Sequence, residues 1–342
     1  MKTAIVCTIA EHRDINLLEE MAKAGMKYVR LNCSHGGMDD PFKFEIIEKV
    51  KQLREKGYDL TLLLDTKGPD IRIGRFDNFD GKNNINGFAI LKEGQEFILT
   101  TDECLGNTEK VFVQLPQLPK KVKPGQIVLL SDGMIKLEVV KVKGSDVHCK
   151  VILGGKLMDR KTLFAPGCDL GLPFMADYDK NDLIVGKKAG MDVVAASFVN
   201  SEADLIEMQT FMKENDCVMP IISKIESSGG IADIDKIIAL GDGIMVARGD
   251  LGVEYPVEQI PALQEMIVKK CNAADKFVIV ATEMMESMRE NPRPTRAEVT
   301  DAWNAVRQGA NAIMTSAETA TGKFPLETVQ FMARIAKEVG SK

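Results

Sequence analysis

Two segments decide the fold: VMPIISKIESSGG at residues 218–230 and GDGIMVARGDLGVE at residues 241–254. Each contains a run of apolar, largely β-branched residues, which is typical of a buried strand in a parallel sheet. Each run ends in one basic and one acidic residue: Lys224 with Glu226, and Arg248 with Asp250. Because a buried charge is costly unless it is paired or binds a metal, the two segments predict a shared polar site at the carboxyl ends of two neighbouring strands.

Strand-like and helix-like segments alternate on both sides of this pair. The predicted strands are Lys2–Ile9, Tyr28–Cys33, Leu60–Thr66, Met191–Phe198, Val218–Glu226, Gly243–Gly249, Lys276–Glu283 and Ala310–Ala317. The predicted helices are Ile15–Ala24, Phe42–Lys56, Asp179–Ala189, Glu202–Glu214, Ile231–Leu240, Val257–Ala274, Arg296–Gln308 and Leu326–Val339. About eight βα units in roughly 240 residues predict a (β/α)₈ TIM barrel. An open doubly wound sheet is the alternative, but its usual GxGxxG turn after the first strand is absent.

The stretch from 69 to 171 has a different pattern. Short alternating runs such as GQIVLLSDGMIKLEVVKV are separated by Gly, Pro, Asn and Asp, which is typical of a small antiparallel β domain. We therefore expect a barrel domain formed by residues 1–68 and 172–342, with a β-barrel lid formed by residues 69–171 and inserted after the third strand.

Composition excludes several classes of protein. The chain has 342 residues and a net charge of -6, so nothing global indicates nucleic-acid binding. The seven cysteines form no CxxC pair and are interpreted as free thiols in a reducing compartment. Neither a signal peptide nor an apolar run of about 20 residues is visible, so we expect a cytoplasmic protein that does not enter a membrane.

Polar residues gather at the carboxyl ends of the predicted strands, where TIM barrels carry their active sites. They are Arg30, Asn32, Ser34, Asp65, Thr66, Ser197, Lys224, Glu226, Arg248, Asp250, Thr282, Glu283, Ser316 and Glu318. Glu226 and Asp250 suit Mg²⁺ or Mn²⁺, and two salt bridges to Lys224 and Arg248 are an equally good interpretation. Lys224 suits stabilisation of a phosphoryl group or an enolate, or simple neutralisation of its neighbour. Asp65 could bind a cation or cap a turn.

Several motifs resemble those of pyruvate kinases, in the order of that family and across nearly the whole chain. They are RLNCSHG at 30–36, LDTKGPDIR at 64–72, ISKIE at 222–226, IMVARGDLGVE at 244–254, ATEMMESM at 281–288, NPRPTRAEVTDAWNAV at 291–306 and SAETATGKFPLE at 316–327. The resemblance implies a barrel with a mobile β lid, and transfer of phosphoryl from phosphoenolpyruvate to ADP, giving pyruvate and ATP.

The resemblance also implies roles for individual residues. Glu226 and Asp250 would bind Mg²⁺, Lys224 would stabilise the phosphoryl group and enolate, and Arg30 would contact the phosphoryl group. The amides of Gly249 and Asp250, with Thr282, would hold the substrate carboxylate. The implied K⁺ site consists of Asn32, Ser34, Asp65 and Thr66, with K⁺ dependence indicated by Asp70. The implied nucleotide contacts are Asn32, His35, Arg72 and, through a loose local match, Lys161. Arg248 receives no role beyond neutralising the acidic site.

The chain departs from the family pattern at several positions: Ala10–Glu11–His12 near the nucleotide, Asn200, Glu283 in place of glutamine, and Ala317 in place of glycine. It also stops at the closing helix of the barrel, so we expect no C-terminal effector domain, and a homo-oligomer formed through the barrel. Two alternatives are a paralogue that acts on another 2-oxo acid enolate and a weakly active paralogue that binds nucleotide and has a regulatory role.

Overall fold

A computed structural model describes residues 3–10, 14–78, 87–168 and 170–340. The chain divides into two compact units. The first comprises Met1–Gly68, Phe174–Leu251 and Glu258–Lys342, and the second comprises Pro69–Pro173 with Gly252–Val257. Glu11 and His12, which depart from the family pattern, lie outside the described residues.

The secondary structure follows the predicted alternation. The strands are β1 (Ala4–Thr8), β2 (Met26–Asn32), β3 (Thr61–Asp65), β4 (Phe88–Leu91), β5 (Glu96–Thr100), β6 (Lys110–Phe112), β7 (Ile127–Leu130), β8 (Ile135–Lys143), β9 (Asp146–Leu153), β10 (Gly155–Met158), β11 (Leu163–Phe164), β12 (Val193–Ala196), β13 (Ile221–Ile225), β14 (Gly243–Ala247), β15 (Phe277–Ala281) and β16 (Ala312–Thr315). The helices are α1 (Ile15–Ala24), α2 (Pro41–Glu55), α3 (Leu118–Lys121), α4 (Asp177–Ala189), α5 (Glu202–Glu214), α6 (Ser228–Ala232), α7 (Ile234–Leu240), α8 (Arg248–Glu254), α9 (Ile260–Ala273), α10 (Arg296–Gln308), α11 (Ala317–Ala320) and α12 (Pro325–Gly340), with short 3₁₀ turns at Val257–Gln259 and Glu286–Arg289.

Eight parallel strands form a closed barrel in the order β1-β16-β15-β14-β13-β12-β3-β2. The barrel closes where Ala4 of β1 pairs with Ala312 of β16. The strands are nearly continuous apolar runs because both of their faces are buried, one by the barrel interior and one by the helices. The interior is filled by side chains that include Val6, Leu63 and Met245, all fully buried. The predicted (β/α)₈ barrel is confirmed, as is the β structure inserted after β3.

The helices begin and end where the sequence supplies capping residues. Asp14 accepts a hydrogen bond from the Asn16 amide at the start of α1, and Gly25 ends that helix with φ 123°. A capping box begins α10, with Thr295 and Glu298 each accepting from the other's backbone amide. These caps satisfy amide groups that a helix end leaves without partners.

The inserted β unit has its own apolar core. A six-stranded sheet runs in the order β11-β7-β8-β9-β5-β6, and a two-stranded sheet pairs β10 with β4. All pairs are antiparallel except β5 with β6, which are parallel. Phe76, Phe97 and Leu137 are among its buried core residues. Because this core is built from residues of the β unit itself, the insertion is a separately packed unit.

The main error in the predicted elements lies after β14. The strand was expected to continue to Gly249, but it ends at Ala247 and α8 begins at Arg248. Asp250 therefore lies in the first turn of a helix, where a carboxylate interacts favourably with the helix dipole. Glu226 lies directly after β13, so the two carboxylates are not on equivalent strand positions.

The segment predicted as the single helix Ile231–Leu240 forms two helices, α6 and α7. Asp233 separates them, and its amide donates to Gly229 O as α6 ends. Its carboxylate accepts from the Glu202 amide at 2.9 Å, which ties this break to the start of α5. In the described part of the chain, no helix is long and apolar enough to cross a membrane.

Candidate active site

Charged and polar side chains from four neighbouring barrel strands meet at the carboxyl end of the barrel. We call Arg30, Asp65, Ser197, Lys224 and Glu226 the ion cluster. Arg30 Nε lies 2.6 Å from Asp65 Oδ2, and Lys224 Nζ lies 3.0 Å from Asp65 Oδ1. Lys224 Nζ also lies 3.0 Å from Glu226 Oε1 and 2.6 Å from Ser197 Oγ. A single buried carboxylate thus holds two cations in place.

Asp65 and Lys224 of the ion cluster stay charged although they are buried. Burial by itself would raise the pKa of Asp65, but Arg30 and Lys224 outweigh it and hold that pKa below its usual value. Burial likewise opposes the charged form of Lys224, but Asp65 and Glu226 prevail and raise its pKa. Lys224 is therefore an ammonium group at neutral pH, fixed in a low-dielectric site where its charge acts strongly.

Three threonines hold the other end of Arg30. Arg30 Nη1 donates to Thr8 Oγ1 at 2.7 Å, and Thr8 Oγ1 donates to Thr315 O at 2.8 Å. Thr319 Oγ1 donates to Thr8 O at 2.9 Å and lies 2.8 Å from Thr315 Oγ1. None of these threonines was predicted from the sequence as a site residue. A signal for two of them was present, because Thr8 and Thr315 are polar residues at the carboxyl ends of β1 and β16.

Glu226 is a buried carboxylate that pairs with one cation, Lys224, whereas Asp65 pairs with two. Its Oε2 accepts from the Phe198 amide at 2.6 Å, and Phe198 has the left-handed φ of 55°. Burial raises the pKa of Glu226, Lys224 lowers it, and Asp250 raises it further, with a net increase. The Asp250 carboxylate forms no ion pair with any described residue. An additional cation would stabilise these two carboxylates, of which only Glu226 is paired with Lys224.

The donor set at this point fits Mg²⁺ or Mn²⁺. Both ions prefer carboxylate oxygens and keep positions for water and substrate phosphate. Among the described residues, no group of three His, Cys, Asp or Glu side chains forms a ready-made metal site. Glu226 and Asp250 could supply two oxygen ligands to such an ion. Of the two salt bridges considered as the alternative, the one between Lys224 and Glu226 is present, whereas Arg248 pairs with Asp301 and not with Asp250.

Arg248 does not neutralise the acidic site, contrary to the sequence-based expectation. Its Nη1 lies 2.7 Å from Asp301 of α10, and its Nε donates to Ala281 O at 3.1 Å. Its Nη2 donates to Thr282 O and contacts Met284 Sδ. The side chain turns toward α10 because α8 begins at this residue. Arg248 thus holds residues 281–284, which we call the Thr282 loop.

The Thr282 loop has an unusual backbone. Thr282 and Glu283 have φ values of 69° and 52°, in the left-handed region that β-branched residues rarely adopt. Thr282 Oγ1 accepts from the Gly249 amide at 2.8 Å and donates to Ala281 O at 2.7 Å. Such conformations persist where the surroundings impose them and are common at active sites. The structure thus brings Thr282 and Gly249 together, as predicted.

The residues of the expected K⁺ site lie on β2, β3 and the segments that follow them. Asn32 is opposite Asp65 in the strand pairing, and its Oδ1 accepts from the Ser34 amide at 2.9 Å. Thr66 Oγ1 accepts from the Ser197 amide at 2.9 Å. The donors are all oxygen atoms, which suits a hard cation. The Asp65 carboxylate, however, is already engaged by Arg30 and Lys224.

The remaining expected nucleotide contacts are divided between the two units. His35 is exposed in the loop between β2 and α2 of the barrel unit. Arg72 and Lys161 belong to the β unit, where Arg72 Nε lies 2.5 Å from Asp70 Oδ2 and Nη1 donates to Arg160 O at 3.0 Å. Lys161 O accepts from the Ile73 amide at 3.0 Å. Arg72 is therefore anchored within its own unit.

Glu318 has a structural place in this region. It is fully buried, and its carboxylate accepts from the amides of Met285 at 3.1 Å and Ser316 at 2.6 Å. It therefore joins the segment after β15 to the segment after β16.

Comparison with known proteins agrees with this geometry. The family model described as "Pyruvate kinase, barrel domain" matches residues 1–329. The chain belongs to the pyruvate kinase family. It is 43% identical over 341 residues to a pyruvate kinase of Clostridium perfringens, covering 98% of this chain and 70% of the relative. It is 41% identical over 339 residues to a pyruvate kinase of Geobacillus stearothermophilus, covering 98% of this chain and 56% of the relative.

Solved structures of the pyruvate kinase family show the same fold. The crystal structure of a pyruvate kinase from Cryptosporidium parvum superposes with a TM-score of 0.92 at 37% sequence identity. The match covers 99% of this chain and 69% of that chain. The chain thus spans between 56% and 70% of the length of these family members.

Proposed function

We propose that the protein transfers a phosphoryl group from phosphoenolpyruvate to ADP, giving pyruvate and ATP. The observation that carries this proposal is Lys224, a buried ammonium group held between Asp65 and Glu226 beside Arg30. Phosphoryl transfer asks the protein mainly for positioned positive charge, and this cluster supplies two fixed cations next to two carboxylates that fit a divalent ion.

Arg30 and Lys224 would bind the transferring phosphoryl group. Arg30 uses Nε and Nη1 within the protein, while its Nη2 donates to no described residue and is available to a phosphoryl oxygen. Glu226 and Asp250 would hold Mg²⁺ or Mn²⁺, which supplies charge neutralisation to the phosphoryl oxygens when bound. Asn32, Ser34, Asp65 and Thr66 would hold K⁺, whose positive charge adds to the same field.

The reaction breaks the bond between phosphorus and the enol oxygen and forms a bond between phosphorus and a β-phosphate oxygen of ADP. The electron pair of the broken bond stays on the enol oxygen, and Lys224 stabilises the resulting enolate. The enolate then takes one proton at its terminal carbon to give pyruvate. Thr282, with the amides of Gly249 and Asp250, would hold the carboxylate, and Thr282 would lie near the protonated carbon.

The substrate carboxylate would compete for contacts that already exist within the protein. The Gly249 amide donates to Thr282 Oγ1 at 2.8 Å, so bound substrate would share or replace that hydrogen bond. His35, Arg72 and Lys161 would contact the nucleotide, with Asn32 nearby. Glu283 adds a negative charge beside Thr282 and would weaken binding of an anionic substrate relative to glutamine.

A coupled assay tests the proposal. Purified protein is given phosphoenolpyruvate and ADP with Mg²⁺ or Mn²⁺, with and without K⁺, and pyruvate is measured. We expect pyruvate and ATP in equal amounts and a higher rate with K⁺. Absence of pyruvate at saturating substrates with both divalent ions would refute the proposed activity. The next activity to assay would then be turnover of another 2-oxo acid enolate.

A further inference from the structure

A second buried lysine lies outside the ion cluster. Lys43, in α2, is only 1% exposed. Its Nζ donates to three successive backbone carbonyls, those of His35 and Gly37 at 3.0 Å each and that of Gly36. An ammonium group has three N–H donors, so these contacts use all of them. The lysine thus sits where a bound metal cation would sit in a ring of carbonyl oxygens.

Such an arrangement has a cost that the surroundings offset. A buried charge is strongly unfavourable unless it is hydrogen-bonded or paired. The carbonyl oxygens supply the hydrogen bonds, and Asp182 of α4 lies within electrostatic reach, since burial raises the pKa of Asp182 and Lys43 acts against that increase. Asp182 Oδ1 also accepts from the Met38 amide at 2.6 Å. The loop is therefore fastened from two sides.

The fastened loop is the one that follows β2 and carries candidate ligands. Asn32 Oδ1 accepts from the Ser34 amide at 2.9 Å, and the Cys33 amide donates to Asp65 O at 2.9 Å. Gly36 then takes φ +71°, which turns the chain so that successive carbonyls face Lys43. The carbonyl groups point inward, and the side chain of His35 is exposed.

We propose that Lys43 is a positioning residue whose ammonium group fixes the loop of residues 33–38, called here the carbonyl loop, for binding nucleotide and K⁺. The proposal rests on the function proposed above, in which Asn32 and Ser34 bind K⁺ and His35 and Asn32 contact the nucleotide. Without the ammonium group, three carbonyls directed at one point lose their common donor and repel one another. The loop then relaxes, and the candidate ligands move away from the geometry that binding requires.

Steady-state kinetics of Lys43→Met test the proposal. The methionine side chain fills the space without charge or donors. We expect the KM for ADP and the activation constant for K⁺ to rise about 10-fold or more, because small displacements of binding groups have large effects. At saturating K⁺, the KM for phosphoenolpyruvate should change less than about 2-fold, because the ion cluster is untouched. Lys51→Met is the matched control, since Lys51 lies on the same helix with its side chain 44% exposed, and it should behave as wild type.

Hydrogen exchange and direct ADP binding give readouts that do not need turnover. The amides of the carbonyl loop should exchange faster in Lys43→Met than in wild type, and equilibrium dialysis should show weaker ADP binding. If the wild-type protein forms no pyruvate but binds ADP, the proposed activity fails while dialysis and exchange still decide the role of Lys43.

Two results would overturn the inference: unchanged exchange and ADP affinity in Lys43→Met, or an equal loss in every kinetic constant, which indicates a general loss of stability. If Lys43→Met does not fold, Lys43→Gln takes its place, because its amide keeps two N–H donors. That variant should show the same selective effects at smaller size, and wild-type ADP affinity in it would equally reject the proposal.

Discussion

The two sides of the active site are held in place by different means. The ion cluster lies at the carboxyl ends of β2, β3, β12 and β13, and opposite charges packed out of water fix it. The Thr282 loop follows β15, and a left-handed backbone tied to one arginine fixes it. The cluster offers charge, while the loop offers a hydroxyl and a nearby amide. In the proposed reaction, the part of the substrate that changes charge would meet the fixed cations of the cluster, and its unreacting carboxylate would meet the neutral donors of the loop.

The largest effect on activity is expected in the ion cluster, at Lys224. Lys224→Met should lower kcat by about 10³-fold, because a preorganised donor to the developing charge is lost. Mn²⁺ binding should persist, since Glu226 and Asp250 remain. Stopped-flow or coupled assays measure the first quantity, and electron paramagnetic resonance of bound Mn²⁺ measures the second. Turnover near that of wild type would refute the role given to Lys224.

The second prediction compares the stability contributed by a paired carboxylate of the ion cluster with that of a carboxylate outside it. Asp65→Ala leaves Arg30 and Lys224 buried without their shared carboxylate and should lower the free energy of unfolding by about 3–5 kcal/mol. Asp250→Ala should change it by less than about 1 kcal/mol, because Asp250 forms no ion pair with a described residue. Urea unfolding measures both changes. Equal losses in the two variants would show that the ion pairs of Asp65 do not stabilise the fold.

The third prediction concerns the arginine behind the Thr282 loop. Arg248→Met removes the donors to Ala281 O and Thr282 O and should lower kcat/KM for phosphoenolpyruvate about 10- to 100-fold, because the loop loses its geometry. The KM for ADP should change little. Asp301→Asn, which removes only the charge that faces Arg248, should have a smaller effect in the same direction. A wild-type kcat/KM in Arg248→Met would show that the loop holds itself.

The smallest effect is expected at Ser197. Its hydroxyl lies 2.6 Å from both Lys224 Nζ and Thr66 O, so it helps to aim the ammonium group without carrying charge. Ser197→Ala should lower kcat about 3- to 10-fold, or roughly 1 kcal/mol, because the Lys224 ammonium group loses one acceptor but keeps Asp65 and Glu226. Coupled assays at saturating substrates measure it. A loss as large as that of Lys224→Met would place Ser197 among the catalytic residues.

The barrel was predictable because its signal is repeated. Each strand is a short apolar run that ends in polar residues, and eight such runs alternating with helical periods leave few architectures. The ion cluster followed from the same rule, since Arg30, Asp65, Lys224 and Glu226 all lie at strand ends. A closed parallel barrel brings those ends together whatever their separation along the chain.

The direction of a side chain beyond a strand end was not predictable. Arg248 was assigned to the acidic site because it precedes Asp250, but helix α8 begins at Arg248 and turns it toward Asp301. The support of Arg30 by Thr8 and Thr315 was missed because strands β1 and β16 meet only when the barrel closes. Lys43 was missed because a lysine in an amphipathic helix is ordinarily exposed, and only the turn at Gly36 shows its three acceptors.

The pairing of β1 with β16 has a consequence for synthesis of the chain. The barrel can close only after Ala312, the pairing partner of Ala4, has been synthesised. At roughly 5–20 residues per second, a ribosome needs roughly 15–60 s to reach that partner. During this interval β1 and each newly made strand present apolar edges that other chains could pair with. We expect the nascent polypeptide to depend on chaperones until its last strand emerges, and ribosome-nascent chains stalled before β16 should be far more sensitive to protease than those released in full.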